Sequence, residues 1–252
     1  MEQLSNRLPG KTTRMAAGKR FSCPVHGDVP GVMCLECAAD KDRQQERLEA
    51  EKEKKRLQTA KLVKALGRAG IPERFLRCGF NTYNISRKEQ QEIFDTAREY
   101  ALNFSNYRKD GQGFVFLGTT GTGKNHLAIS IAKQVIRDGY TAVYTTVLEV
   151  AQHVREAYRN KSDDSDRQVI ALYAEPDLLL LDEVGMQMGN DSERVFVTQI
   201  INKRYEQMKP TIVLSNLAPA PLEKVLGERV ISRLKETTRM LTFQWEDYRA
   251  RS

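Results

Sequence analysis

Residues 113–125 read GFVFLGTTGTGKN, and they decide the fold of this chain. Residues 113–118 form an apolar run typical of a buried strand, and residues 124–139 have the pattern of a helix. Between them, GTTGTGKN matches seven of the eight positions of the phosphate-binding loop G-x-x-x-x-G-K-[ST]. Strand, glycine-rich loop and helix in this order predict a site for nucleotide phosphates. Asn125 is the exception, because a Ser or Thr hydroxyl normally stands there and binds Mg²⁺.

Every residue of the loop and of the first helical turn is a candidate nucleotide ligand. The backbone N–H groups of residues 121–126, at the positive end of the helix dipole, would cradle phosphate oxygens. Lys124 would reach the β- and γ-phosphates as a point charge. The predicted nucleotide-binding residues are Gly118, Thr119, Thr120, Gly121, Thr122, Gly123, Lys124, Asn125 and His126.

Polar side chains follow two later apolar runs. In LLLLDEVG, two adjacent carboxylates stand at the end of a buried strand, which costs free energy unless the carboxylates have a function. Asp182 would hold Mg²⁺, and Glu183 would polarise the attacking water. In TIVLSN, Asn216, with Ser215 beside it, would orient that water or sense the γ-phosphate. An exposed strand end and an ordinary turn are the simpler interpretations of the two runs.

The stretch GERVISR carries two arginines on one predicted helix. Arg229 and Arg233 are four positions apart and therefore share a face. Arginine stabilises charge on a transferring phosphoryl group, often from a neighbouring subunit, although surface arginines are common on helices. The predicted catalytic set is Lys124, Asp182, Glu183, Asn216, Arg229 and Arg233.

Helical and strand patterns alternate from about residue 90 onward. This alternation favours an α/β fold, with a parallel sheet covered by helices on both faces. The predicted strands are 113–118, 141–147, 177–185, 210–217 and 239–245. The predicted helices are 88–104, 124–139, 148–160, 192–207 and 220–236.

Residues 71–252 resemble a known family in several motifs. They are GTTGTGKNHLA, LLLLDEVG, LSN, LGERVISR, the closing FQWEDYRARS and the opening IPERFLRCGFNTYN. Together they resemble the bacterial and phage DnaC-type helicase loaders, which are AAA+ ATPases and close relatives of the IstB transposition helper ATPases. The resemblance implies an AAA+ P-loop core over 71–252, with a five-stranded parallel sheet and helices on both faces. Because the chain ends soon after the last predicted strand, we expect no separate AAA+ lid domain.

The resemblance also implies a function. Asn directly follows the loop lysine in this family, and the carbonyl oxygen of Asn125 is a hard ligand acceptable to Mg²⁺, so we expect a working site. Because Asn lacks the alkoxyl geometry of Ser or Thr, we expect ATP hydrolysis to be slow and switch-like. Arg233, with Arg229, would act on a neighbouring subunit during self-association in the ATP state. The implied partners are single-stranded DNA and a hexameric replicative helicase of the DnaB type, which the loader delivers onto DNA.

A polar, basic stretch falls where the family presents residues toward DNA. There Tyr158 would stack on a base, and Arg159 and Lys161 would meet phosphates, unless this is simply a solvated loop. Two other functions stay open for the chain. One is an IstB-like helper that binds DNA and directs a transposase. The other, motivated by Asn125, is a nucleotide-sensing adaptor that does not hydrolyse ATP.

Four residues near the N-terminus have the spacing of a zinc site. Cys23-x₂-His26 and Cys34-x₂-Cys37 are two short ligand pairs separated by a glycine- and proline-containing turn, as in a structural zinc knuckle or ribbon. We predict a disordered basic tail over 1–20, the zinc-binding module over 21–40 and a charged helical linker over 41–70. Cys78 stands alone and is interpreted as a packing residue.

Composition and charge limit the partners and the cellular location that we expect for this chain. The chain has 252 residues, of which 29% are charged, and a net charge of +7. The positive excess favours polyanionic partners, although a solvated basic surface explains it equally well. No apolar run is long enough to cross a bilayer, and residues 1–20 lack the apolar core of a secretory signal. We therefore expect a cytoplasmic protein with reduced cysteines and no membrane partner.

Overall fold

A computed structural model describes most of the chain. The chain divides into two compact units, Met1–Thr59 and Ala60–Ser252. None of the helices in the described part of the chain is long and apolar enough to cross a membrane. The described residues are 20–30, 34–50, 69–159, 165–185 and 191–248. Outside them lie residues 1–19 of the predicted tail, the linker residues 51–68 and the predicted DNA contact Lys161.

The first unit is a hairpin followed by a helix. Strands β1 (Arg20–Cys23) and β2 (Gly27–Pro30) pair antiparallel. Helix α1 covers residues 35–50. The N–H of Ala38 donates to the carbonyl of Cys34 at 3.0 Å, so the helix begins directly after Cys34. The charged helix predicted to start at residue 41 therefore starts earlier, inside the segment predicted as the zinc module, because helix-forming residues already follow Cys34.

The second unit contains the predicted five-stranded sheet. Its strands are ordered β4-β5-β6-β3-β7, and all four neighbouring pairs are parallel. In chain order its elements are α2 (Lys88–Leu102), α3 (Phe104–Lys109), β3 (Gly113–Gly118), α4 (Lys124–Arg137), β4 (Ala142–Thr146), α5 (Val147–Arg159), α6 (Ser165–Ala174), β5 (Leu178–Asp182), α7 (Asp191–Glu206), β6 (Thr211–Ser215), α8 (Pro219–Leu226), α9 (Glu228–Thr237) and β7 (Thr238–Phe243).

Both faces of the sheet are buried under helices. Phe114 and Phe116 point into one apolar core, which includes residues of α2 and α4. Val115 and Leu117, which alternate with them, point into a second core with residues of α5, α6, α7, α8 and α9. A strand that is buried on both sides needs apolar residues at every position, which is why GFVFLG and LLLL are continuous rather than alternating. The predicted α/β architecture is confirmed.

The helices differ from the prediction in three places. Helices α3 and α6 were not predicted. The helix predicted over 220–236 is two helices, α8 and α9, which meet at Gly227. Gly227 has φ +79° and ψ 157°, a conformation that a helix cannot contain and that glycine adopts without strain. The sequence pattern missed the break because apolar residues recur at helical spacing on both sides of Gly227.

The second unit begins before the predicted boundary at residue 71. Ala69 and Ile71 are both buried in the first apolar core. The carbonyl of Ala69 also accepts a 2.7 Å hydrogen bond from the N–H of Tyr144 in β4. A residue that binds the backbone of a sheet strand and fills its core belongs to the same folding unit.

Candidate nucleotide site and zinc centre

The glycine-rich loop joins the end of β3 to the start of α4. Gly123 immediately precedes the helix with φ +91°, and Gly121 has φ +78°, so both lie in the left-handed region. Each also has a close neighbour. A Cβ on Gly121 would collide with the Asp247 carboxylate, and one on Gly123 would lie 2.8 Å from Cε2 of Tyr83. Glycine is therefore required at both positions for backbone conformation and for space.

Lys124 is buried at the first position of α4. Its ammonium donates to the carbonyl oxygens of Gly118 and Thr119, each at 2.7 Å. The hydroxyl of Thr122 also donates to Thr119, at 2.9 Å. These bonds hold the lysine head group within the curve of the loop, where the predicted phosphate contacts would be made.

The two predicted magnesium ligands contact each other. The side-chain amide of Asn125 donates to Oδ2 of Asp182, which lies at the end of β5. Tyr144 donates its hydroxyl to the same oxygen at 2.6 Å, and the N–H of Glu183 donates to Oδ1 at 2.7 Å. Because a carboxylate only accepts, the Asn125 amide presents its nitrogen to Asp182, and its carbonyl oxygen is the atom that can ligate a cation.

Glu183 lies beside this cluster in a strained backbone conformation. Its φ is +58°, which is uncommon for a residue with a Cβ. Burial raises the pKa of its carboxyl group, and the negative charges of Asp182 and Glu149 raise it further. A carboxyl group with a raised pKa is a better proton acceptor for water than an ordinary surface glutamate.

One cavity of about 380 Å³ brings most of the predicted site together. It is lined by six residues of the loop and first helical turn, by both acidic residues and by Asn216. Arg74, Phe75 and Cys78, which sequence analysis did not assign to the site, also line it. The predicted residues that line it are Thr120, Gly121, Gly123, Lys124, Asn125, His126, Asp182, Glu183 and Asn216.

Three other predicted loop residues lie around this cavity rather than on its wall. Gly118 and Thr119 line an adjoining cavity together with Asn216. Thr122 is buried, and it lines a smaller cavity with Tyr83.

Ser215, suggested as a partner of Asn216, is buried and donates to the Val184 carbonyl at 2.6 Å. The N–H of Leu217 donates to the same hydroxyl at 3.1 Å, so Ser215 fixes the turn after β6.

The two predicted arginines lie away from this cavity. Arg229 is exposed on α9. Arg233 is mostly covered: it donates to the side chain of Asn202 in α7, and its guanidinium lies 5.0 Å from the centroid of the Tyr205 ring. Neither arginine lines the nucleotide cavity of its own chain, so a part in catalysis requires a second chain.

Two segments distant in sequence support the loop. Nε2 of His126 lies 3.0 Å from the carbonyl oxygen of Gly79, and burial lowers the pKa of this imidazole. Lys133, about two helical turns further along α4, donates to the carbonyl of Cys78 at 2.6 Å. From the other side, the indole of Trp245 donates to the Thr122 carbonyl at 2.9 Å. The nucleotide loop is thus held between residues 76–82 and the segment that follows β7.

The four predicted zinc ligands converge in the first unit. Nδ1 of His26 lies 3.8 Å from Sγ of Cys23, 3.4 Å from that of Cys34 and 3.3 Å from that of Cys37. All four ligand atoms lie within 4.8 Å of one another. Atoms that bind one tetrahedral Zn²⁺ at about 2.0 to 2.3 Å lie roughly 3.3 to 3.8 Å apart. The donor set and its spacing therefore fit zinc.

The neighbouring groups also suit a metal. The hairpin turn supplies Cys23 and His26, and the start of α1 supplies Cys34 and Cys37. The backbone N–H of His26 lowers the pKa of the Cys23 thiol to about 6, which favours the thiolate that binds metals. Nε2 of His26 lies 3.3 Å from the Glu36 carboxylate, the kind of outer partner that orients a ligating histidine.

The chain is similar in sequence to several known proteins. A family model described as IstB-like ATP binding protein matches residues 44–252. The replicative helicase loader DnaC of Buchnera aphidicola subsp. Baizongia pistaciae (strain Bp) is 33% identical over 209 residues, covering 82% of this chain and 84% of that protein. DnaC of Escherichia coli (strain K12) is 32% identical over 194 residues, covering 76% and 77%.

Solved structures share the fold. The crystal structure of the DnaC helicase loader superposes with a TM-score of 0.61 at 24% identity, covering 69% of this chain and 100% of that one. AMPPCP-bound DnaA from Aquifex aeolicus gives 0.57 at 21% identity, covering 69% and 52%. These likenesses confirm the predicted fold of the second unit. The chain belongs to the family of IstB-like ATP-binding proteins that includes the DnaC replicative helicase loaders.

Proposed function

We propose that this chain is an ATP-dependent loader that binds a hexameric replicative helicase and delivers it onto single-stranded DNA. One structural observation carries the ATP-dependent part: Lys124, Asn125, Asp182, Glu183 and Asn216, from three parts of the sequence, line one cavity. The loader part is supported by relatives named replicative helicase loader DnaC, which match over most of their own length.

The residues divide the work of nucleotide binding. Lys124 and the loop N–H groups bind the phosphates, and the glycines let the backbone approach them closely. Asn125, through its carbonyl oxygen, and Asp182 would hold Mg²⁺. When bound, Mg²⁺ neutralises negative charge on the β- and γ-phosphate oxygens. Tyr144 keeps the Asp182 carboxylate in one orientation through its 2.6 Å hydrogen bond.

Hydrolysis would use the residues at the strand ends. Glu183 accepts a proton from the attacking water, which Asn216 orients. Arg229 and Arg233 reach the site of a neighbouring subunit, where a guanidinium stabilises charge on the transferring phosphoryl group. Turnover that depends on a neighbour is slow in the isolated chain and rises on assembly, which suits a switch between a helicase-bound and a released state.

The zinc module would be the part that recognises the helicase. Zn²⁺ held by Cys23, His26, Cys34 and Cys37 would supply stability that so short a segment cannot obtain from an apolar core. Phe21, two residues before Cys23, and Leu35, directly after Cys34, are exposed apolar residues available for a protein contact. Tyr158 and Arg159, the other predicted DNA contacts, belong to the end of α5, and their side chains lie outside the described part of the structure.

A strand-displacement assay tests this function. The substrate is circular single-stranded DNA with an annealed oligonucleotide, onto which a closed helicase ring cannot thread. We expect the chain with ATP to stimulate unwinding by the replicative helicase of its host. Stimulation without ATP, or none at any ratio of the two proteins, would contradict the proposal.

The family match also supports a second candidate, an IstB-like helper that directs a transposase. The two functions share the same nucleotide chemistry, so the ATPase site does not separate them. Failure to stimulate the helicase, together with ATP-dependent filaments on duplex DNA, would favour the helper.

A further inference from the structure

Arg74 lies in the nucleotide cavity, although it belongs to none of the nucleotide-binding motifs recognised in the sequence. It is the middle residue of a short 3₁₀ turn, Glu73–Phe75, which precedes the sheet by almost forty positions. The same cavity is lined by Lys124, Asp182 and Glu183. Folding therefore brings the cationic side chain of Arg74 to the nucleotide site.

The charges in the cavity favour a role for Arg74 in phosphate binding. Among the described residues that line it, Arg74 is the one arginine and Lys124 the one lysine. Opposing them are the carboxylates of Asp182 and Glu183. ATP brings at least three further negative charges to the cavity. It differs from ADP by the γ-phosphate, so a residue that distinguishes the two nucleotides has to interact with that group. A guanidinium offers a planar set of donors that suits phosphoryl oxygens.

Packing restricts where the Arg74 guanidinium can lie. Its central carbon is 4.4 Å from the centroid of the Phe75 ring, a cation–π contact. Phe75 packs edge-on against Tyr144, with the ring centroids 6.3 Å apart. Tyr144 in turn donates to Asp182. The arginine is thus connected through two aromatic rings to the carboxylate at the magnesium end of the cavity.

The lining of the cavity places Arg74 with the groups of the chemical step. Glu183 and Asn216, which would accept a proton from the attacking water and orient it, line the same cavity as Arg74. The guanidinium and the water site therefore open onto one space, where the γ-phosphate would lie.

We propose that Arg74 contacts the γ-phosphate of ATP within its own chain, so that the site distinguishes ATP from ADP. The inference rests on the proposed ATP-binding function. It differs from the roles of Arg229 and Arg233, which require a neighbouring subunit. Arg74 also precedes the segment that His126 and Lys133 tie to α4, so a contact with the γ-phosphate would be transmitted to residues 76–82.

The test compares the affinities of Arg74→Ala, Arg74→Lys and wild-type protein for ATPγS and for ADP, measured by calorimetry with Mg²⁺. Arg77→Ala is the matched control, because Arg77 is exposed in the same segment and does not line the cavity. Loss of a charge-assisted hydrogen bond should weaken ATPγS binding at least about tenfold in Arg74→Ala, with ADP affinity nearly unchanged. Arg74→Lys should lose less, and Arg77→Ala nothing.

The outcomes are distinguishable. Unchanged ATPγS affinity in Arg74→Ala, or an equal loss for both nucleotides, would overturn the inference while leaving the proposed function intact. Unchanged ADP affinity shows in the same experiment that the variant is folded. Wild-type protein that binds neither nucleotide would refute the proposed function and this inference with it. Lys124→Ala should lose both nucleotides, which confirms that the measured site is the glycine-rich loop.

Discussion

Asn125 donates its side-chain amide to the Asp182 carboxylate, although the two residues are 57 positions apart in the sequence. This contact accounts for the unusual residue after the loop lysine. A Ser or Thr at this position would offer a hydroxyl to Mg²⁺. An Asn binds the second predicted metal ligand directly and presents a carbonyl oxygen as well. The departure from the loop pattern is therefore compatible with a working metal site.

The Asn125 contact predicts a metal-dependent defect. Asn125→Ala removes a donor to a buried carboxylate and a candidate metal ligand, so half-saturation of ATP binding should need roughly tenfold more Mg²⁺. Asn125→Ser should recover much of the loss by supplying a hydroxyl. Magnesium titrations of ATP binding measure this, with Asn106→Ala on the exposed side of α3 as the control. An unchanged magnesium requirement in Asn125→Ala would remove Asn125 from the metal site.

Glu183 is predicted to act in the chemical step rather than in binding. Glu183→Gln keeps the size of the side chain but cannot accept a proton, so turnover should fall about a hundredfold or more. ATP affinity should stay the same or rise slightly, because a negative charge next to the phosphates is removed. Steady-state hydrolysis and nucleotide binding are measured on the same preparation. Measurable turnover at the wild-type rate would assign the proton acceptor to another group.

The arginine pair predicts restoration of activity on mixing. Arg229→Ala and Arg233→Ala should each bind ATP but hydrolyse it slowly, with Lys224→Ala on α8 as a charge-removal control. Mixed with Glu183→Gln, an arginine variant should regain turnover, because its intact Glu183 then receives an arginine from the other chain. The rate of the mixture against that of each variant alone is the measurement. No gain for either arginine variant would contradict a role between subunits.

The variant that regains more turnover identifies the arginine in contact with the phosphate. Arg229 is exposed, and no polar contact of its side chain is seen among the residues that the structure describes. Arg233 also bonds Asn202 and covers the Tyr205 ring, so its variant needs a check of thermal stability.

The zinc centre predicts one metal ion per chain. Cys34→Ser should abolish zinc binding, because Cys34 is a buried member of the ligand cluster, while Cys78→Ser, outside the cluster, should retain it. Nucleotide binding should survive in both variants, since the second unit has its own apolar cores. Elemental analysis measures the metal. Equal zinc content in wild-type and Cys34→Ser protein would refute the assignment of Cys34.

The sheet could be predicted because its strands leave a strong pattern. LLLL and IVL are apolar at every position, as strands buried on both faces require, and polar residues follow each of them directly. Asp182 and Asn216 therefore reach the same edge of the sheet in the prediction and in the structure. The zinc ligands were equally predictable, because two short spacings near each other have few other physical explanations.

What the sequence could not predict depends on contacts between distant segments. Nothing local marks Tyr144, whose hydroxyl binds Asp182, because Tyr is an ordinary residue in a strand. Arg74 and Trp245 reach the loop from before and after the sheet, and only the parallel topology brings them there. The break at Gly227 was visible as a glycine, but the apolar spacing on both sides favoured one helix.

Native mass analysis of the chain mixed with the hexameric replicative helicase of its host, with ATP and with ADP, tests the central claim most directly. The account predicts several copies bound to one hexamer with ATP, and fewer after turnover on single-stranded DNA. Glu183→Gln should remain bound under the same conditions, because it holds ATP without hydrolysing it. Absence of any complex with either nucleotide would contradict the loader function.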